Sequence, residues 1–216
     1  MRFLVSLPLL VLAGCAASPV TESKTPASTM PKTLKPAEGQ SVSLADLELT
    51  LPSSWKIADF SNSEWKAKMA ELAKGNATVA SMMSMMEEAS RSGFIKLVAF
   101  DLATAGSGFA DNINVIVTPG QGLPFAKLVA ANDEQLRTIA TKGHEPKLER
   151  KMLANGQWAI LSSHVPTGPN GKDIAIKTCL ALHSDKAYTI TFSTLPGKED
   201  QAASLVEPVL DSVKFK

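Results

Sequence analysis

Residues 173–194, DIAIKTCLALHSDKAYTITFST, contain two apolar runs on either side of Ser184-Asp185-Lys186. The first run contains Ile174, Ile176 and Thr178, the second contains Tyr188, Ile190 and Phe192, and all of these residue types favour strands. The polar triplet between the runs is typical of a turn. The stretch therefore predicts an antiparallel hairpin whose first strand covers 173–183. This hairpin indicates a sheet built from neighbouring antiparallel strands.

Two loop lengths fit this hairpin, and they give different strand registers. A two-residue loop would place Tyr188, Ile190 and Phe192 across from Cys179, Ala181 and Lys177. A three-residue loop puts the large apolar side chains together on one side of the sheet. We therefore predict the three-residue loop, with the opposing pairs Leu182–Tyr188, Leu180–Ile190 and Thr178–Phe192.

The residues before this hairpin continue the antiparallel pattern. Asn155-Gly156 is the strongest two-residue hairpin signal in the chain, and it would join strands near 147–153 and 157–165. The segment 166–172 contains two prolines and two glycines, which predicts a turn into the strand at 173–183.

Further strands and several amphipathic helices are predicted elsewhere in the chain. Strand patterns are present at 47–51, 94–100 and 112–117. Helical patterns are present at 61–74, 76–90, 124–141 and 198–212, the last with an expected kink or break near Val206 because Pro208 lies inside it. Strands that arrive in hairpins, with helices between them, predict an α+β domain, a mostly antiparallel sheet with helices packed on it.

The N-terminal residues resemble a bacterial lipoprotein signal. Arg2 precedes a short apolar segment, and Leu12-Ala13-Gly14-Cys15 resembles the lipobox, in which the cysteine is lipidated and becomes the new N-terminus. The interpretation is a signal peptide over 1–14 and a lipid anchor at Cys15. Ala16 favours the outer membrane if the cell is Gram-negative.

A polar segment separates this anchor from the globular part. Residues 16–40 are rich in Ser, Thr, Pro, Lys and Ala, and such a composition does not bury enough apolar surface to fold. We therefore expect a lipidated cysteine and a disordered linker over 15–43, and a single globular domain over 44–216.

Several short motifs resemble the PsbP-like superfamily. They are Leu51-Pro52 before Trp55, the strand Asn112-Ile113-Asn114-Val115, a long middle helix, a run of antiparallel strands, and the ending Leu210-Asp211-Ser212-Val213-Lys214-Phe215. The resemblance implies an α-β-α sandwich used mainly for binding or assembly, without a shared catalytic constellation. The helical insert rich in methionine departs from the common pattern.

The methionines of this insert form the one unusual cluster of side chains. Met82, Met83, Met85 and Met86 lie at spacings that bring them to one side of a helix. Thioether sulfur selects Cu(I), although methionine also fills cores and adaptable contact surfaces. Packing or a partner surface is the preferred interpretation, and Cu(I) handling is the alternative.

The remaining reactive residues do not form a recognisable catalytic or metal-binding motif. Cys179 lies in an apolar strand pattern that predicts a buried, inert thiol. His183 is four positions further along the same strand, roughly 13 Å away, which is too far for the two side chains to share a metal ion. We expect His144 and His164 to be solvated or hydrogen-bonded histidines. Adjacent carboxylates such as Glu87-Glu88 point in different directions on a helix surface, so they do not form a general acid–base pair. We therefore expect that the protein is not an enzyme and binds no cofactor.

Charge also limits the classes of partner. Without Arg2 of the signal, 21 Lys and Arg balance 21 Asp and Glu, so the net charge implies neither nucleic acid nor acidic lipid as a partner. We therefore predict a non-enzymatic, extracytoplasmic binding or assembly module whose partners are the membrane, through the anchor at Cys15, and an envelope protein. The alternative is a methionine-based Cu(I)-handling lipoprotein.

Overall fold

The computed structural model describes residues 39–59, 62–63, 67, 93–101, 103–104, 110–141, 143–167 and 173–216. Outside these residues lie the predicted signal, Cys15, most of the predicted linker and the four methionines. The predicted helices at 61–74 and 76–90 also lie outside, except for residues 62–63 and 67. None of the helices in the described part of the chain is long and apolar enough to span a membrane.

Ten strands and two helices are present in the described residues. The strands are β1 (Gly39–Ser43), β2 (Leu47–Pro52), β3 (Lys56–Ile57), β4 (Ile95–Phe100), β5 (Asn112–Pro119), β6 (Lys147–Met152), β7 (Trp158–His164), β8 (Ala175–His183), β9 (Lys186–Thr194) and β10 (Lys214–Phe215). The helices are α1 (Phe125–Ile139) and α2 (Glu199–Asp211). The predicted strands and the helix at 124–141 are thus confirmed, and β1, β3 and β10 are additional.

All strand pairs are antiparallel, and they form two sheets. The large sheet has the order β3-β4-β5-β9-β8-β7-β6, and the small sheet has the order β1-β2-β10. This arrangement confirms the predicted α+β class, a mostly antiparallel sheet with helices packed on it.

One face of the large sheet, which we call the α2 face, holds the main apolar core. Tyr188, Ile190 and Phe192 of β9 and Cys179 and Ala181 of β8 point into it. The small sheet and α2 cover this face with Leu47, Leu49, Leu51, Val206, Val209 and Leu210. Since each fully buried aliphatic side chain contributes about 1.5–3 kcal/mol, this layer is the main source of stability.

The opposite face, which we call the α1 face, is apolar at one end and polar at its centre. Leu180 and Ala187 pack against Leu128 of α1. Further along, Asn114, Thr191, Thr178 and Ser162 are buried and follow one another across β5, β9, β8 and β7 in register. Helices on both faces complete an α-β-α sandwich.

The predicted register of the β8–β9 hairpin is wrong. Ala181 pairs with Tyr188 and Cys179 with Ile190 around a two-residue turn. Ser184 and Asp185 have φ angles of 47° and 57°, as a type I′ turn requires. The prediction assumed one buried face, whereas both faces are buried, so large apolar residues are divided between them.

The turn after β6 also differs from its prediction. Leu153 donates to the carbonyl of Gln157 at 2.9 Å, which leaves three residues, Ala154 to Gly156, in the loop. Of the three, only Gly156 has a positive φ, and Asn155 Oδ1 accepts the Gln157 amide at 3.0 Å. A three-residue hairpin loop needs one left-handed residue, which Gly156 supplies, whereas a two-residue type I′ turn would need two.

Three further expectations are corrected. β1 begins at Gly39, so the ordered fold starts before the predicted domain boundary at 44, and the linker predicted to reach 43 is shorter. α2 is continuous through Pro208, so of the kink or break expected near Val206 the break does not occur. Phe94, predicted in a buried strand, precedes β4 and is 45% exposed.

Candidate functional site

A cleft of about 660 Å³ lies on the large sheet beside the start of α2. Four strand ends meet there, because β6 and β8 begin where β7 and β9 finish. The volume lies within the range of about 300–1,000 Å³ that is usual for small-ligand pockets. The topology therefore places a ligand-sized cavity where four strands and a helix converge.

The walls of the cleft combine an apolar strip with a ring of polar groups. Ala175, Phe192, Ala203 and Val206 supply the apolar part. His144, Glu145, Lys147, Ser163, Glu199 and Asp200 supply exposed polar groups. Such a lining favours a ligand with an apolar portion and a few polar atoms.

His164 is the most unusual side chain in this lining. It is 3% exposed, and neither ring nitrogen has a hydrogen-bond partner within the described residues. Burial lowers the pKa of His164 to about 4, so the imidazole is neutral at physiological pH. A neutral imidazole offers one donor and one acceptor. His164 follows Ser163, which pairs with Lys177 on the α2 face, so the imidazole lies on the opposite, α1 face of the sheet end.

Behind the cleft, Glu207 of α2 is held by two lysines. Lys177 Nζ donates to Glu207 Oε1 at 2.5 Å, and Lys151 contacts the other carboxylate oxygen and also Asp211 at 2.9 Å. Burial raises the pKa of Glu207, but the hydrogen bonds from Lys151 and Lys177 outweigh that effect and hold the pKa below its usual range. Glu207 is therefore ionised and fixes α2 against the sheet.

A second polar cluster joins the ends of β4 and β5. Asp111 accepts a hydrogen bond from Thr194 Oγ1 at 2.9 Å, and Asp101 Oδ1 accepts the amide of Ala103 at 3.0 Å. Burial raises the pKa of Asp111. Both carboxylates accept bonds that shape the local backbone, and we assign them a structural role.

Comparisons with known proteins identify the fold. Neither a protein-family model nor a characterised protein sequence matches the chain. Among solved structures, cyanobacterial PsbP from Synechocystis sp. PCC 6803 superposes with a TM-score of 0.50 at 16% identity, over 83% of this chain and 94% of that one. The chain has a PsbP-like fold.

Two further structures resemble the PsbP-like domain less well. LpqN of Mycobacterium tuberculosis, involved in cell envelope biogenesis, gives a TM-score of 0.48 at 12% identity, over 82% of this chain and 85% of LpqN. A protein of unknown function from Pseudomonas aeruginosa gives 0.46 at 14% identity, over 81% of this chain and 95% of that one.

The PsbP-like domain places the singled-out residues as follows. Cys179 is buried and free, and burial raises its pKa to about 12, as expected for an inert thiol. His183 stacks on Phe215 with ring centroids 4.9 Å apart. Within the described residues, no group of three His, Cys, Asp or Glu side chains could hold a metal ion.

The sequence did not predict the cleft. His144 and His164 both line it, although they were expected to be solvated or hydrogen-bonded histidines without a common site. For His164 that expectation is wrong, because the ring is buried without a hydrogen-bond partner in the described part of the chain. The alternation of Ile160, Ser162 and His164 on one face of β7 was the available signal.

Proposed function

We propose that this protein is a non-enzymatic binding or assembly module, held outside the cytoplasm by lipid on Cys15. The cleft is the observation that carries the proposal. Its wall includes Phe192 and Val206, and Lys177 beside them is paired with Glu207, so its groups are suited to recognition by apolar contact and hydrogen bonds. A PsbP-like fold, which the resemblance associates with binding and assembly, supports the same conclusion.

The anchor and the location rest on the sequence motif. The lipobox at Leu12 to Cys15 supports a lipidated N-terminus in the bacterial envelope, and Ala16 favours the outer membrane in a Gram-negative cell. Multiple acyl chains hold a protein on a membrane almost permanently, since each buried methylene contributes about 0.8 kcal/mol. The Cu(I) alternative rests on methionines outside the described residues, and no described group favours it.

Lipidation is tested by growing cells with an alkyne-bearing fatty acid and detecting label on the protein. We expect label on the native chain, loss of label in Cys15→Ala, and an acylated N-terminal peptide by mass spectrometry. Equal label in both chains, or an unmodified Cys15 peptide, would show that the anchor is wrong.

The binding role is tested with a photo-crosslinking amino acid in place of Ser163, an exposed residue of the cleft. The matched control carries the same amino acid at Glu134, exposed on α1. We expect one dominant envelope protein captured from position 163 alone. An identical pattern from both positions, or turnover of a substrate lost with a single side chain, would contradict the proposal.

A further inference from the structure

Large apolar side chains are exposed together at one end of the large sheet. Five are exposed in the described part of the chain, and four of them lie at this end: Phe94 (45%), Leu123 (40%), Met152 (46%) and Trp158 (52%). We call these four residues the apolar rim. The fifth, Ile57, pairs with Ala99 towards the other end of β4.

The strand order brings the apolar rim together from distant parts of the sequence. Met152 at the end of β6 pairs with Trp158 at the start of β7. Phe94 precedes β4, and its carbonyl accepts the amide of Val117 near the end of β5 at 2.9 Å. From β4 to β6 the rim crosses five strand spacings, about 24 Å at roughly 4.8 Å each.

Hydrogen bonds between the turns hold the rim in place. Leu123 follows a turn in which Gly120 donates to the Asp185 carbonyl at 2.6 Å and Gly122 donates to Asp185 Oδ1 at 3.0 Å. Gln157, next to Trp158, donates to the Leu182 carbonyl at 2.9 Å. The exposed side chains therefore project from a fixed backbone.

The charges around the rim are mainly positive. Lys96, Lys127 and Arg150 are exposed and form no ion pair within the described residues. Lys186 is paired with Asp46 at 2.5 Å, and the exposed Asp185 carboxylate accepts the Gly122 amide. The unpaired cations thus flank the apolar side chains.

We propose that the apolar rim contacts an anionic phospholipid surface. Tryptophan and phenylalanine beside Lys and Arg are the composition of interfacial membrane contacts, in which rings enter the headgroup region and cations meet lipid phosphates. A protein hot spot would instead gather its anchors at the centre of a pocket. The four rim residues are spread along one end of the sheet, which suits a planar surface.

The linker is long enough for this orientation. Gly39 pairs with Pro52, whereas Leu47 at the other end of β2 pairs with Phe215, which stacks on His183 at the rim end. The linker therefore joins the domain at the far end. Residues 16–38 reach roughly 75 Å when extended, and β8, with nine residues, spans roughly 30 Å. A chain lipidated at Cys15 can thus fold back and present the rim to its own membrane, so this inference takes its membrane from the proposed function.

Vesicle binding tests the contact without the anchor. The chain from Cys15 to Lys216, with the Cys15 thiol alkylated by iodoacetamide, is sedimented with vesicles of equal phosphatidylglycerol and phosphatidylcholine, and with phosphatidylcholine alone. We expect binding to the anionic vesicles that weakens with added salt. Trp158→Gln should reduce the partition coefficient about tenfold, equivalent to about 1.4 kcal/mol, because it removes the most exposed ring of the rim.

The matched control is Ile57→Gln, which removes an apolar side chain that is 40% exposed and lies outside the rim. Cooperative urea unfolding shows that each variant is folded. Absence of binding by the folded native chain, equal losses in both variants, or Trp158-dependent self-association without lipid would overturn the inference. Lipid label on Cys15 in cells is measured separately. Absence of vesicle binding would therefore leave the proposed anchor untouched, and absence of lipid label would leave vesicle binding measurable.

Discussion

Gly120 lies directly against the carbonyl oxygen of Asp185. Its amide donates to that oxygen at 2.6 Å, and a Cβ at this position would come within 2.9 Å of both the oxygen and Leu182 Cδ1. The Leu182 side chain can rotate, but the Asp185 carbonyl belongs to a two-residue turn. This contact joins the turn before α1 to the β8–β9 hairpin.

Gly120→Ala should therefore lower the free energy of unfolding by about 1–3 kcal/mol, the usual cost of overpacking. Urea unfolding measures the change. Gly122→Ala is the comparison, because Gly122 has a φ of 64° and no atom near its missing Cβ, so only backbone strain of about 1 kcal/mol is expected. A smaller loss for Gly120→Ala than for Gly122→Ala would disprove the close approach.

His164 should make the protein less stable as the pH falls from about 6.5 to about 4. In this range the unfolded chain binds a proton on the imidazole and the folded protein does not, so stability falls by at most about 3 kcal/mol. His164→Asn should remove this slope in unfolding curves measured across the range. His144→Asn, which removes an exposed histidine of the same cleft, is the control. An unchanged slope in His164→Asn would rule out His164 as its source.

Glu207→Gln should destabilise the protein at pH 7 by about 1 kcal/mol, a value reduced because the carboxylate is 39% exposed. The hydrogen bonds from Lys151 and Lys177 hold the pKa of Glu207 below its usual range, so its stabilisation is present above the unfolded-state pKa and is lost as the pH falls through the folded pKa. Thermal unfolding should therefore show the loss at neutral pH and little difference near pH 2. Asp133→Asn, which breaks an exposed i,i+4 pair with Arg137, should cost about 0.3–0.5 kcal/mol.

Cys179 should be unreactive in the folded protein because burial raises its pKa to about 12. In a Cys15→Ser chain it is the sole thiol, and we expect no colour with a disulfide reagent until urea unfolds the protein. Adding Ser163→Cys supplies an exposed thiol that should react in the native state. Rapid reaction of Cys179 without denaturant would contradict its burial.

Local sequence patterns predicted the positions of strands and helices more reliably than the burial of the residues within them. Leu47, Leu49 and Leu51 alternate in the sequence, and all three are buried in β2. Asn112 and Asn114 alternate with apolar residues in the same way, yet both are completely buried. Alternation distinguishes the two faces of a strand, but it does not show whether a second layer covers the polar one.

The cleft was beyond local prediction for a similar reason. Lys177 and Glu207 are 30 residues apart in the sequence, and they meet because α2 packs on the strand ends. The sequence around His164 shows only a strand pattern, which does not reveal that the side chain is buried. Sequence periodicities of two to four residues carry no information about contacts between residues so far apart in the chain.

The sequence by itself determined the α+β class and most strand and helix positions, because apolar periodicity and turn residues act over a few neighbours. It also carries the lipobox on which the proposed anchor rests. Tertiary structure alone decided the pairing of Ala181 with Tyr188, the cleft at the strand ends beside α2, and the placement of Met152, Trp158 and Phe94 at the same end of the large sheet. Each of these depends on burial of both sheet faces and on strand order. The free energy of the whole chain determines both, and no single segment does.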